Sequence, residues 1–156
     1  MTKKTLTVLL VEDDPAHAEI VRRNFRDFSP GNRLEHVSDG VSALNYIYRR
    51  GIFAEPGAAP RPDLVLLDLR LPGVDGLTVL RTMKEDPSLA PIPVVILTTS
   101  AAESDVVQAY GNQANSYLVK PADFDEFVSL METLEIYWLK RNFFLEVPEK
   151  YGSHAR

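Results

Sequence analysis

The sequence contains no cysteine, which removes disulfides, thiol catalysis and cysteine-bound zinc from consideration and suits a reducing compartment. It has no excess of positive charge. Asp and Glu number 22 against 17 Lys and Arg, and the formal net charge of −5 offers no general attraction to nucleic acid. It also lacks a long hydrophobic run. The first apolar stretch, Leu6 to Val11, ends in three acids and is too short for a secretory signal or a membrane span. The expectation is a cytoplasmic protein with neither a membrane nor a nucleic-acid partner.

What is present describes a globular domain. The 156 residues are 45% apolar and 25% charged, enough to bury a core without covalent staples. Five apolar runs stand out: Leu6–Val11, Arg33–Val37, Leu64–Leu67, Val94–Leu97 and Ser116–Val119. The first, third and fourth are nearly continuous Val, Ile and Leu, the composition of strands buried on both faces in a parallel sheet. Helical periodicity fills the intervals: Pro15–Phe28, Ser42–Arg50, Leu77–Lys84, Ser104–Tyr110 and a last helix from Phe124 past Trp138. Strand and helix alternate five times, which predicts an α/β sheet with helices on both faces and right-handed crossovers. Gly51–Pro62, rich in Pro and Gly, reads as an inserted surface loop.

In such folds the chemistry gathers beyond the C-terminal ends of the strands. Glu12, Asp13 and Asp14 follow the first run, Asp68 the third, Thr98, Thr99 and Ser100 the fourth, and Lys120 and Pro121 the fifth. Glu12, Asp13 and Asp68 would converge, and clustered carboxylates repel unless a hard cation such as Mg²⁺ joins them. Asp68 suits a carboxylate nucleophile towards a phosphoryl group, with Lys120 and metal offsetting the charge. Thr98 offers a hydroxyl to a phosphoryl oxygen. Asp14, before Pro15, and Asp75, before Gly76, read as helix N-caps. The Lys120–Pro121 bond is open to either isomer.

These residues resemble a known family, the receiver domains of two-component response regulators. The matching pieces are Val11-Glu12-Asp13, Leu66-Leu67-Asp68 with Leu71-Pro72-Gly73-Val74-Asp75-Gly76, Pro93 to Thr98, and Tyr117-Leu118-Val119-Lys120-Pro121. The resemblance implies a doubly wound (βα)5 flavodoxin-like fold with strand order 2-1-3-4-5. It also implies that Asp68 is the phosphoacceptor for a partner histidine kinase. Glu12, Asp13, Asp68 and the Arg70 backbone carbonyl would hold Mg²⁺ or Mn²⁺, Lys120 would contact the phosphoryl group, and Thr98 and Tyr117 would form the switch pair. Such a protein assists its own metal-dependent phosphorylation and dephosphorylation but is not an enzyme. The Gly51–Pro62 insertion, Leu97-Thr98-Thr99-Ser100, Ala114-Asn115-Ser116-Tyr117 and Tyr137-Trp138-Leu139 resemble the stand-alone regulators of phytochrome-type kinases, bacteriophytochromes among them. Thr99 and Arg70 depart from the commoner receiver pattern at positions bordering the phosphoryl site.

Residues 1–140 read as the receiver unit and 141–156 as a C-terminal extension too short for a helix-turn-helix module. Output is therefore expected through protein contacts. Phe143 and Phe144, with Tyr137 and Trp138, form an apolar cluster that either folds back on its own domain or packs on a second copy. The resemblance favours a homodimer built through this arm. The sequence argues against three other readings. A phosphatase usually has a second Asp where Arg70 stands, a nucleotide binder would not place Glu12-Asp13-Asp14 in its phosphate loop, and a phosphorylation-independent adaptor need not keep the acceptor set.

Overall fold

The computed structural model describes residues 5–145. Five parallel strands form one sheet in the order β2-β1-β3-β4-β5: β1 Thr7–Val11, β2 Arg33–Val37, β3 Leu64–Leu67, β4 Val94–Thr98 and β5 Ser116–Val119. The helices between and after them are α1 Pro15–Phe28, α2 Gly40–Ile47, α3 Gly76–Glu85, α4 Glu103–Gly111 and α5 Phe124–Glu135. The expected doubly wound α/β fold and its strand order are therefore observed. The three runs of continuous Val, Ile and Leu are the three central strands, every residue of which is buried.

Period-two alternation divides the core between the two faces of the sheet. Leu9, Val11, Val65, Leu67, Val94 and Ile96 pack with Tyr46, Leu80 and Met83 of α2 and α3. Val8, Leu10, Leu64, Leu66, Val95 and Leu97 pack on the other face with Val21 and Phe25 of α1 and Phe127 and Met131 of α5. Helix starts follow local chemistry. Asp14 Oδ1 accepts from the amides of Ala16 and His17, and Asp75 Oδ1 accepts from that of Thr78, as expected of N-caps.

Three boundaries differ from the sequence reading. The second helix begins at Gly40, capped by Asp39, and ends at Ile47, because Arg49 adopts a positive φ of 53° that helical backbone does not allow. The Gly51–Pro62 segment is not wholly superficial. Its tip exposes Ile52, but Ala59 is buried and the Pro60 carbonyl accepts from the Tyr46 hydroxyl at 2.9 Å. The last helix changes character at Ile136 and runs to Arg141 as a π-helical turn.

Gly76 sets the approach of α3 to the sheet. A Cβ there would lie 2.2 Å from the Asp68 carbonyl oxygen and 2.6 Å from Leu69 Cα, both backbone atoms that cannot swing aside. Far from this edge, Glu135 is 1% exposed where α5 meets the end of α1, and its Oε1 accepts from Ser29 Oγ at 2.5 Å. Burial pushes its carboxyl up to about 7, against the lowering effects of the Ser29 bond and Lys140; Glu132 adds a smaller push upward.

Gly76→Ala is expected to lower unfolding stability by about 1–3 kcal/mol, the usual cost of overpacking, as measured by urea denaturation. For Glu135 the folded-state pKa is raised, so the folded chain holds a proton that the unfolded chain has released between about pH 4.5 and 7. Its contribution to stability is complete at the acid end of that window and is lost as pH rises through it. Glu135→Gln should therefore be more stable than wild type at pH 8 by on the order of 1–3 kcal/mol. The difference should vanish towards pH 4.5, a trend followed by thermal melts across that range.

Candidate functional site

The C-terminal edge of the sheet assembles most of the candidate residues at one point. β1 delivers Glu12, β3 delivers Asp68, β4 ends in Thr98 and β5 is followed by Lys120. All four side chains belong to buried residues, although each is charged or polar. Their backbone is held across the strand ends: Asp68 donates its amide to Val11, Glu12 to Val37 and Lys120 to Thr98, at 2.7–3.1 Å. His36 Nε2 donates to the Glu12 carbonyl at 2.8 Å. The chain therefore fixes where each group stands before any ligand arrives.

Lys120 Nζ is the centre of the arrangement. It lies 2.5 Å from Glu12 Oε1 and 2.8 Å from Asp68 Oδ2, with the ammonium and both carboxylates almost entirely out of water. Burying a charge is tolerable only when it is paired, and one cation here serves two anions. Burial pushes the Glu12 carboxyl up to about 7, with Lys120 pulling it down and the Asp68 charge adding a smaller push upward. The second oxygen of each acid is also engaged: Glu12 Oε2 accepts from the Asp14 amide at 3.1 Å and Asp68 Oδ1 from the Arg70 amide at 3.0 Å.

Asp13 completes the acid group from an exposed position. One carboxylate oxygen each from Glu12, Asp13 and Asp68 falls within a cluster no more than 4.8 Å across. Three oxygen donors with a net negative charge at a solvent-facing edge suit a hard divalent cation such as Mg²⁺ or Mn²⁺. Thr98 Oγ1 is buried beside this edge with no hydrogen-bond partner.

The remaining candidates are placed differently. Tyr117 is half-buried on β5 and its hydroxyl donates to the Ser100 carbonyl at 2.8 Å. Desolvation holds its phenol above the usual range, the Ser100 bond opposing. The Arg70 side chain turns away from the acids to Asp105 Oδ2 of α4, at 2.5 Å. Tyr137 and Phe143 are exposed at the other end of the sheet, whereas Trp138 and Phe144 pack partly on their own core, with ring centroids 6.4 Å apart. Tyr137 and Phe143 thus face outward, whereas Trp138 and Phe144 fold back on their own domain. No peptide bond among the described residues is cis, so Lys120–Pro121 is trans.

Sequence reasoning missed His17 and Asp105. His17 Nδ1 lies 3.0 Å from Lys120 Nζ and its ring stands 5.7 Å from that of Phe127. Its place one turn into the helix capped by Asp14, opening on the acidic edge, was the available signal.

Residues 8–132 match the family model described as the response regulator receiver domain. The chain is 44% identical over 135 residues to a probable methanogenesis regulatory protein, FilR2, of Methanothrix harundinacea, covering 86% of this chain and 84% of that one. It is 36% identical over 133 residues to the response regulator Rcp1 of Synechocystis, covering 85% and 88%. The solved Mn²⁺-bound form of Rcp1 superposes with a TM-score of 0.85 at 34% identity over 90% of this chain and 99% of that one. The phosphorylated cyanobacterial phytochrome response regulator RcpA superposes at 0.86, also at 34% identity, over 91% and 99%. With the matched model, the shared sheet order and the acid cluster suited to a divalent cation all agreeing, the chain belongs to the receiver-domain family of response regulators.

Proposed function

We propose that the chain is a phosphorylation switch in which Asp68 accepts a phosphoryl group from a histidine kinase and the resulting change is read by other proteins. The observation that supports this best is the company Asp68 keeps. A buried carboxylate is paired with one lysine and flanked by two further acids, at a strand edge that also carries a buried threonine hydroxyl without a partner. A structural carboxylate needs its charge balanced but has no use for the extra acids or the orphan hydroxyl.

Each residue then has a role that follows from its chemistry. Asp68 Oδ forms a bond to phosphorus as the phosphorus–nitrogen bond of the donor phosphohistidine breaks. Glu12, Asp13 and Asp68 hold Mg²⁺ or Mn²⁺, with the Arg70 carbonyl as the remaining protein ligand. The bound cation supplies positive charge that offsets the repulsion between Asp68 and an incoming phosphoryl group. Lys120 passes from the Asp68 carboxylate to a phosphoryl oxygen without leaving the buried edge. Thr98 donates its hydroxyl to another, and Tyr117 on the neighbouring strand responds to the movement of Thr98.

The similarity to a phytochrome response regulator points to a phytochrome-type histidine kinase as the donor. Residues 1–140 form the receiver unit and the stretch from 141 on an arm that joins two copies. Support for the arm comes from exposed Tyr137 and from exposed Phe143 and Leu145, which line a groove of about 910 Å³ at the N-terminal edge of the sheet. Residues 146–156 of that arm lie outside the described residues. Among the described residues no helix is long and apolar enough to cross a membrane.

Incubation with a radiolabelled phytochrome-type kinase and Mg²⁺ should label the wild type with a base-labile, hydroxylamine-sensitive phosphate, as an acyl phosphate requires, and Asp68→Asn should take up none. Label persisting on Asp68→Asn would overturn the acceptor assignment. Truncation after Lys140 is expected to give a monomer in sedimentation velocity at concentrations where the full chain is a dimer. An unchanged dimer would remove the arm from its role.

A further inference from the structure

A second polar chain leaves the site by a route that the acid cluster does not use. Arg70 stands two residues past Asp68, and its backbone amide donates to Asp68 Oδ1 at 3.0 Å. Its guanidinium points the other way, with Nη2 lying 2.5 Å from Asp105 Oδ2 in the first turn of α4. That same Asp105 oxygen accepts from Ser100 Oγ at 2.5 Å, and Ser100 Oγ accepts in turn from the Ala102 amide at 3.3 Å. The Ser100 carbonyl holds the Tyr117 hydroxyl at 2.8 Å. Four side chains thus connect the loop after β3, the loop after β4, α4 and β5.

We infer that Asp105 is a positioning residue that latches the switch at rest: it holds the Arg70 guanidinium off the phosphoacceptor and, through Ser100, keeps the Tyr117 hydroxyl on the β4–α4 loop. This rests on the reading of Asp68 as the phosphoacceptor and Tyr117 as a switch residue. Phosphorylation of Asp68 sets up a competition for one guanidinium. A phosphoryl group adds roughly two negative charges and three acceptor oxygens, which arginine's planar fork suits at least as well as it suits a carboxylate. As Arg70 transfers, Asp105 keeps its place on α4 but loses the cation that tied it to the loop after β3, so the Ser100 loop is held by the Ser100–Asp105 bond alone and Tyr117 is freed to follow Thr98.

The two ends of the ion pair differ in exposure in a way that suits a reversible latch. The Arg70 side chain is 65% exposed and free to swing, while the Asp105 side chain is 13% exposed and stays where α4 puts it. An ion pair with one end in solvent contributes modestly, so it biases the switch without locking it. The shift it can impose is no larger than its difference in strength between the two states.

The test compares wild type with Asp105→Asn, which keeps the shape and the oxygen that accepts from Ser100 but removes the charge facing Arg70. In metal-free, unphosphorylated protein, amide hydrogen exchange over residues 100–106 should quicken by roughly threefold to fivefold in the variant. With Mg²⁺ present, the variant should bind beryllofluoride, a phosphoryl mimic, tighter than wild type by a similar factor, because the competent state is more populated at rest. Arg70→Ala should quicken exchange in the same way without tightening beryllofluoride binding, since it removes the residue that the mimic recruits. Exchange and affinity both unaltered in Asp105→Asn, beside a wild type that binds beryllofluoride normally, would overturn the latch and leave the phosphoacceptor reading standing. A wild type that binds no beryllofluoride would instead overturn that reading.

Discussion

The site depends on a single ammonium group. Lys120 Nζ sits between Glu12 and Asp68 with almost no access to water, and burying two acids side by side is tolerable only because this cation pairs with both. The pairing also explains how the fold can place acids on neighbouring strand ends and still close around them. Its charges do not cancel: two buried carboxylates share one cation, and Asp13 adds a third acid at the rim. That residual negative charge is what gives a divalent cation its affinity for the edge. The same lysine suits the edge to an incoming anion, because a cation already beside Asp68 Oδ2 needs little reorganisation when further negative charge arrives.

Much of this was legible in the sequence because strand burial and strand termination are both written locally. Leu64-Val65-Leu66-Leu67 can only be a strand buried on both faces, and Asp68 directly after it can only stand at the strand's C-terminal edge. The same holds for Val94 to Thr98; the rule that ligands gather at that edge placed the polar residues together, and the resemblance to receiver domains supplied the strand order and the individual roles. Cap residues were equally plain, since Asp14 before Pro15 and Asp75 before Gly76 have few other uses. Where the reading stopped was at contacts between elements distant in the chain. Nothing in the order of residues says that Arg70 would reach Asp105, that His17 would stand against Lys120, or that Trp138 would turn inward while Tyr137 faces out. Those outcomes are set by how helices lie on the sheet, and a helix rotated by one residue would change each of them.

The two arrangements at the catalytic edge differ in how firmly they are held. The lysine and its acids are buried and fixed by strand ends, so they change little as the site works. The Arg70–Asp105–Ser100–Tyr117 chain runs over the surface of α4, whose exposed face and single buried residue, Ala109, leave it the least anchored of the helices. One edge therefore combines a buried, tightly paired part with a more exposed and less anchored part.

Helix α5 joins the two ends of the molecule. It begins at Phe124, four residues after Lys120, and runs back along the sheet to Glu135, where the π turn and the aromatic cluster start. Twelve residues at about 1.5 Å each make a rod of about 18 Å, roughly the thickness of the sheet in that direction. Such a rod is a lever with its short end at the edge that gathers the acids. A tilt of about 10° pivoting near Pro121 would carry the far end about 3 Å, enough to move Tyr137 by most of a ring's width although nothing at the active edge had shifted by more than a fraction of that.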